Sequence, residues 1–180
     1  MDEIVKAALK KWPTVPHCYG WLALDARGQW FMRDDRIQRA GPFPQVKGSM
    51  IRHDKLLEFI HRNYECDAHG CWFFQNGPQR VYVELEAAPR VWRVSWAGDT
   101  LSVQAHSGHD DTVHTVWLDD HGRLFLHGDR GFGIVHSQDM LDASRAIEQG
   151  LWSPQTLAFS AMPARFGYVL KPEPVSVRAH

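Results

Sequence analysis

Apolar residues recur at helical spacing in three stretches of the chain. In residues 2–12 the stripe is Ile4, Val5, Ala8, Leu9 and Trp12, and Pro13 and Pro16 prevent continuation. Asp2 and Glu3 sit at the positive end of that helix dipole, Lys10 and Lys11 at the negative end. Leu56, Leu57, Ile60 and Tyr64 share one face of a helix predicted over 52–64. A third helix is predicted at 138–148, with Ser137 as its cap, Asp139 in its first turn and Gly150 beyond its end.

Between the helices the period changes to two. Strands at 19–25 and 29–33 flank Asp25-Ala26-Arg27-Gly28, where the Asp starts a type I turn and the Gly takes the left-handed position. Strands at 71–75 and 80–86 flank Asn76-Gly77, a turn made atypical by Pro78. After a break at Ala87-Ala88-Pro89, strands are predicted at 90–96, 100–106 and 112–118; Trp92, Val94 and Trp96 alternate with Val91, Arg93 and Ser95. Asp119-Asp120-His121-Gly122 then turns the chain into 123–127. Gly and Pro content marks 34–50 and 151–165 as loops, and Gly131-Phe132-Gly133 also reads as a loop. A strand at 166–170 closes the fold, and Pro172 and Pro174 begin a loose tail.

The order of these signals repeats. Leu24-Asp25-x-x-Gly28-x-x-Phe31 recurs as Leu118-Asp119-x-x-Gly122-x-x-Phe125, and Asp35-Arg36 recurs as Asp129-Arg130. Each hairpin leads through a loop to a helix, then to Gly-x-Trp (Gly70 and Trp72, Gly150 and Trp152), then to Pro-x-Arg-x-x-x-x-Leu (Pro78 to Leu85, Pro163 to Leu170). The expected class is therefore α+β, a mostly antiparallel sheet with about three helices, built by internal duplication of a β-β-α-β unit. Residues 1–180 form one domain in this reading, with pseudo-repeats at about 15–89 and 110–172 and a bridge of strands between them. Trp72 and Trp152 are expected to be largely buried beside their preceding helices.

Composition adds boundaries. A chain of 180 residues is long enough to bury roughly 70% of its unfolded surface, so it needs no metal or disulfide staple. Eight Trp and nine Phe point to an aromatic core with rings left over for a surface. The net charge of -1 gives no basic stripe for phosphates, and Arg33, Arg36 and Arg39 are interrupted by Asp34 and Asp35, so nucleic acid is not expected as a partner. No apolar run approaches a membrane span, and the acidic start lacks the form of a signal peptide. Three cysteines without framework spacing suit a reducing compartment, so the expected location is cytoplasmic.

Candidate chemistry is sparse. His106-Ser107-Gly108-His109-Asp110-Asp111-Thr112-Val113-His114 is the densest part of a chain with 11 histidines, and His106, His109, Asp110 and His114 are the donors from which a metal site could be built. The competing reading is a polar hairpin tip rich in turn formers. Cys66-Asp67-Ala68-His69-Gly70-Cys71, with His17 and Cys18, has loose zinc spacing and no second cysteine pair; Cys71 is expected at the start of a strand and Cys66 at a helix end. No nucleophile elbow, phosphate loop or zinc-protease helix occurs. The most distinctive stretch is 73–84, where Gln75, Asn76, Gln79, Arg80 and Tyr82 surround a tight turn and form the candidate ligand-binding set.

The residues Pro16-His17-Cys18-Tyr19-Gly20-Trp21-Leu22-Ala23-Leu24-Asp25-Ala26-Arg27-Gly28 and Trp72-Phe73-Phe74-Gln75-Asn76-Gly77-Pro78-Gln79-Arg80-Val81-Tyr82-Val83 resemble a family of bacterial proteins of about this length, a domain of unknown function. The resemblance covers most of the chain and implies a bacterial, single-domain protein with no assigned activity. Together these features point to a soluble, cytoplasmic, non-catalytic binding or accessory protein that recognises a small molecule or a protein partner and carries no cofactor. The alternatives are a metal-assisted hydrolase built on His106, His109, Asp110 and His114, and a structural subunit of a homodimer.

Overall fold

A computed structural model of the chain describes residues 1–175. The described chain forms two compact units, one from Met1–Leu24, Trp30–Glu86 and the residues from Val169 on, the other from Asp25–Gln29 and Ala87–Tyr168. The junction at Glu86 and Ala87 falls on the break expected at Ala87-Ala88-Pro89. The fold is α+β, with one six-stranded mixed sheet in each unit and antiparallel pairs in the majority.

The first unit begins with α1, Glu3–Lys11. Its stripe is only partly covered: Val5 is buried, but Ile4 and Trp12 are exposed. Strands β1 (Cys18–Leu24) and β2 (Trp30–Met32) form the first hairpin. The expected loop at 34–50 holds a short helix α2, Asp35–Ala40, and the edge strand β3, Ser49–Met50. Helix α2 starts because the Asp34 carboxylate accepts from the Ile37 N–H at 2.9 Å. Helix α3 runs Asp54–Arg62 and ends before Tyr64, which opens β4, Tyr64–Cys66. Cys66 therefore lies on a strand and not at a helix end. Strands β5 (Trp72–Asn76) and β6 (Gln79–Leu85) complete the sheet in the order β3-β2-β1-β6-β5-β4. Strand β6 lies parallel to β1, with Leu22 opposite Val83 and Leu24 opposite Leu85. Trp72 is half-buried, its ring 4.7 Å from that of Tyr64.

The second unit contains β7 (Arg90–Ala97), β8 (Thr100–Ala105), β9 (Val113–Leu118), β10 (Leu124–Gly128), β11 (Gly131–Val135), α4 (Met140–Glu148), β12 (Gln155–Thr156) and α5 (Met162–Phe166). Its sheet order is β12-β9-β10-β11-β7-β8. Gly131-Phe132-Gly133 belongs to β11, not to a loop; a Cβ on Gly133 would come within 2.6 Å of the Arg90 carbonyl, so only glycine permits this pairing with β7. The strand expected at 166–170 is absent: Met162–Phe166 is helical, with Pro163 in the first turn and Gly167 left-handed at its end. One core gathers Trp92, Val94, Val116, Leu124, Leu126 and Trp152. Phe132 stacks on Phe166 at 3.8 Å and lies 5.4 Å from Phe125, so much of the aromatic excess is packing. The tail described here lacks regular structure through Val175, and its expected continuation over 176–180 lies outside the described residues.

Three Asp-x-x-Gly turns share one hydrogen-bond pattern. Asp25 Oδ1 accepts from the N–H of Arg27 and Gln29, both at 2.9 Å. Asp119 Oδ1 accepts from His121 and Arg123 at 2.9 and 2.8 Å, and Asp67 Oδ1 from His69 and Cys71 at 2.8 and 3.0 Å. The following glycines, Gly28, Gly122 and Gly70, all have positive φ. The third turn was equally visible in the sequence as Asp67-Ala68-His69-Gly70, hidden by its neighbouring cysteines.

Candidate functional site

A groove of about 230 Å³ opens on one face of the first sheet, beside α3. Strand alternation builds its floor: Leu22 on β1, Val81 on β6 and Phe74 on β5 point the same way because Phe74 is paired with Val81 and β1 lies alongside β6. Helix α3 supplies Leu56 and Ile60, and Ile51 closes one end. Ile60 reaches the groove because the amphipathic stripe of α3 packs on β5, where Phe59 meets Phe74 edge-on at 5.5 Å. Trp21 and Met32 form the mouth and stay 38% and 49% exposed. Both line the same opening although Trp21 precedes Leu22 directly, because the register of β1 against β6 shifts between Cys18 and Leu22.

The chemistry of this groove is almost wholly apolar. The lining residues that carry polar side-chain atoms are Asn76, Cys18 and Trp21. Burial pushes the Cys18 thiol up, so it stays protonated at neutral pH and is a poor nucleophile. Among the described residues, no carboxylate, imidazole or ammonium group lines the opening. Such a surface can desolvate and orient a neutral apolar molecule.

The five ligand candidates around the 76–79 turn are divided by the pleat. Asn76 faces the groove. Tyr82 points to the opposite face, stacks on Tyr19 at 4.7 Å and donates to Asp67 Oδ2 at 3.0 Å. Arg80 lies 4.2 Å over the Phe73 ring. Gln75 is fully buried; its Nε2 donates to the Gly77 carbonyl at 3.0 Å, and its Oε1 has no hydrogen-bond partner among the described residues. Gln79 donates to the Pro16 carbonyl at 3.1 Å. The groove's other walls, Trp21, Met32 and Leu56, were visible in sequence only as strand and helix residues.

The histidine cluster is dispersed into separate tasks. His106 Nδ1 accepts from the Val91 N–H at 3.1 Å, and His109 pairs with Ser107. Asp110 accepts from Gln104, and His114 contacts the Asp129 carboxylate. Among the described residues, no three His, Cys, Asp or Glu side chains converge on a point that could hold a metal. The same separation holds for the cysteines: Cys18 borders the groove, Cys66 is exposed on β4, Cys71 is half-buried, and all three are free thiols. Among the described residues no helix is long and apolar enough to cross a membrane.

Residues 1–173 match the DUF2944 family, whose description reads "Protein of unknown function (DUF2946)", and the chain belongs to that family. No curated protein matches the sequence. Two solved structures are similar in part. A DUF1285 family protein from Shewanella baltica OS155 is 17% identical with a TM-score of 0.47, over 69% of this chain and 91% of that one. A second DUF1285 family protein, from Silicibacter pomeroyi DSS-3, is 13% identical with a TM-score of 0.49, over 82% of this chain and 84% of that one.

Proposed function

We propose that this family member is a non-catalytic binding protein whose first unit holds a compact, neutral, apolar small molecule in the groove beside α3. The observation that carries this reading is the groove itself: an apolar wall with Trp21 and Met32 left open at its mouth and one carboxamide, Asn76, to orient a guest. Its volume of about 230 Å³ lies below the roughly 300–1,000 Å³ of pockets for drug-sized ligands, so the guest is small. The protonated Cys18 thiol, a poor nucleophile, supports binding over turnover. A reducing, cytoplasmic setting fits the three free thiols.

Descent from a duplicated β-β-α-β unit belongs to the same reading. It is supported by the matching Asp25 and Asp119 turns at the tips of the two hairpins, while the closing strand that the repeat calls for at 166–170, as the counterpart of β6, is absent from those residues. The exposure of Trp21 and Met32 also favours a second reading, in which another copy of the chain covers the groove. Titration calorimetry with indole and 1-naphthol, on the wild type and on Met32→Arg, tests the first. Binding that weakens at least tenfold in Met32→Arg is expected; no binding of either ring, or equal binding to the variant, overturns it. A concentration-dependent dimer abolished by Met32→Arg would support the second.

A further inference from the structure

On the opposite face of the first sheet lies a polar cavity of about 220 Å³, and we infer that it is a second site, built for a small zwitterion whose ammonium group meets Glu84 and whose carboxylate meets Lys171. The alternation that aims Met32 and Val81 at the groove aims Arg33 and Glu84 the other way, so both sides of the sheet can be used.

The floor is charged and buried. Arg33 is 2% exposed and Glu84 is 7% exposed. The guanidinium is held by backbone carbonyls: Nε donates to Val46 at 3.2 Å and Nη2 to Gly41 at 2.6 Å. What remains, Nη1, stands 3.6 Å from Glu84 Oε2, beyond an ordinary hydrogen bond. The Glu84 carboxylate thus has charge compensation but receives no close N–H or O–H among the described residues. The Glu84 side chain lines the cavity, so an ammonium donor placed there can supply the missing close hydrogen bond. Burial raises the Glu84 pKa, against the opposing pull of Arg33 and then Lys171, which is the direction expected of an acid short of donors.

The rim supplies the other charge. Lys171 and Glu173 are exposed and line the cavity with Tyr19 and Gln38, while the intervening Pro172 is buried and anchors the segment. Gln38 is itself held in place, donating to the Arg33 carbonyl at 2.8 Å. The lining carries Arg33 and Lys171 against Glu84 and Glu173, so a ligand with net charge of either sign leaves one group unmatched. With Arg33 committed to carbonyls, the free complement is a carboxylate at the floor and an ammonium at the rim. A small α-amino acid has that charge pattern and that size.

Titration calorimetry with glutamine, alanine and glycine, and with succinate and putrescine as singly signed controls, tests this. At least one of the three zwitterions is expected to bind, tenfold or more weakly to Lys171→Gln and to Glu84→Gln, with indole binding at the groove unchanged. Lys171 is exposed, so its variant keeps the test valid even where Glu84→Gln fails to fold. Binding of succinate or putrescine alone, no binding of any of the five, or equal zwitterion affinity in Lys171→Gln overturns the assignment.

Discussion

Arg93 and Asp139 meet across 46 residues, Nε to Oδ2 at 2.6 Å and Nη2 to Oδ1 at 3.0 Å. The same Oδ2 accepts from the Val94 N–H at 3.0 Å, so one carboxylate ties the start of α4 to strand β7. Asp139→Ala removes all three bonds and leaves a buried backbone N–H without its acceptor. A loss of about 1–3 kcal/mol is expected, read by urea denaturation. Arg93→Ala should cost less, because half of that side chain is in water and the Val94 bond survives. Equal losses would show that the ion pair, rather than the backbone bond, carries the effect.

His136 gives the second unit a pH dependence. Its Nδ1 accepts from the Gln138 N–H at 3.1 Å, which requires the neutral ring. Burial, then the positive charge of Arg93, hold its pKa below the ordinary 6.5, with Asp139 pulling weakly the other way. The unfolded chain therefore binds this proton more readily. The contribution is complete above about 6.5 and is lost as pH falls through the lowered folded value. The melting temperature should drop on acidification from pH 7 to pH 5, and His136→Asn, which keeps a capping acceptor, should flatten that slope. An unchanged slope would assign the titration to another group.

Gly28 and Gly122 occupy equivalent places in matching turns, with φ of 78° and 74°. A Cβ on Gly28 would lie 2.9 Å from the Cβ of His106, while Gly122 has open space. Gly122→Ala should cost roughly 1–2 kcal/mol, the left-handed backbone penalty. Gly28→Ala should cost at least about 1 kcal/mol more, from overpacking. Chemical denaturation of the two variants side by side measures the difference, and equal values would remove the packing role of the first turn.

The three thiols should react in a set order. Cys66 is exposed and the other two are half-buried, so limited iodoacetamide should label Cys66 first. Burial, followed by the nearby Asp67, raises its pKa from 9.0, so the rate should still be climbing with pH at 9. Peptide mapping by mass spectrometry reads both; first labelling at Cys18 or Cys71 would contradict the order set by exposure.

The mismatches between sequence and structure have more than one cause. The expectation of a strand at 166–170 followed the alternation of Phe166, Tyr168 and Leu170, yet Pro163 and Gly167 are the start and stop signals of a one-turn helix, and these won. At 131–133, glycine content suggested a loop; close approach of β7 to β11 requires the glycine at 133 and turns it into a strand. Ile4 and Trp12 fit a buried stripe by spacing, but only Val5 of α1 found cover. At 163–167 the deciding signals were local, whereas at 131–133 a strand distant in sequence decided between two locally acceptable states.

What the sequence determined by itself was local: the three nine-residue helices, the hairpin at Asp25 and its counterpart at Asp119, and the free-thiol character of the chain. Caps, dipole-matched charges and Asp-x-x-Gly turns act over four residues or fewer, so they are written in contiguous stretches. The tertiary structure decided the faces. Met32 and Arg33 are adjacent in the chain, and only the parallel seating of β6 against β1 sends one to an apolar groove and the other to a buried carboxylate. A strand's alternation specifies that its two faces differ; which partner covers each face is set by residues some sixty positions away, and no local pattern encodes it.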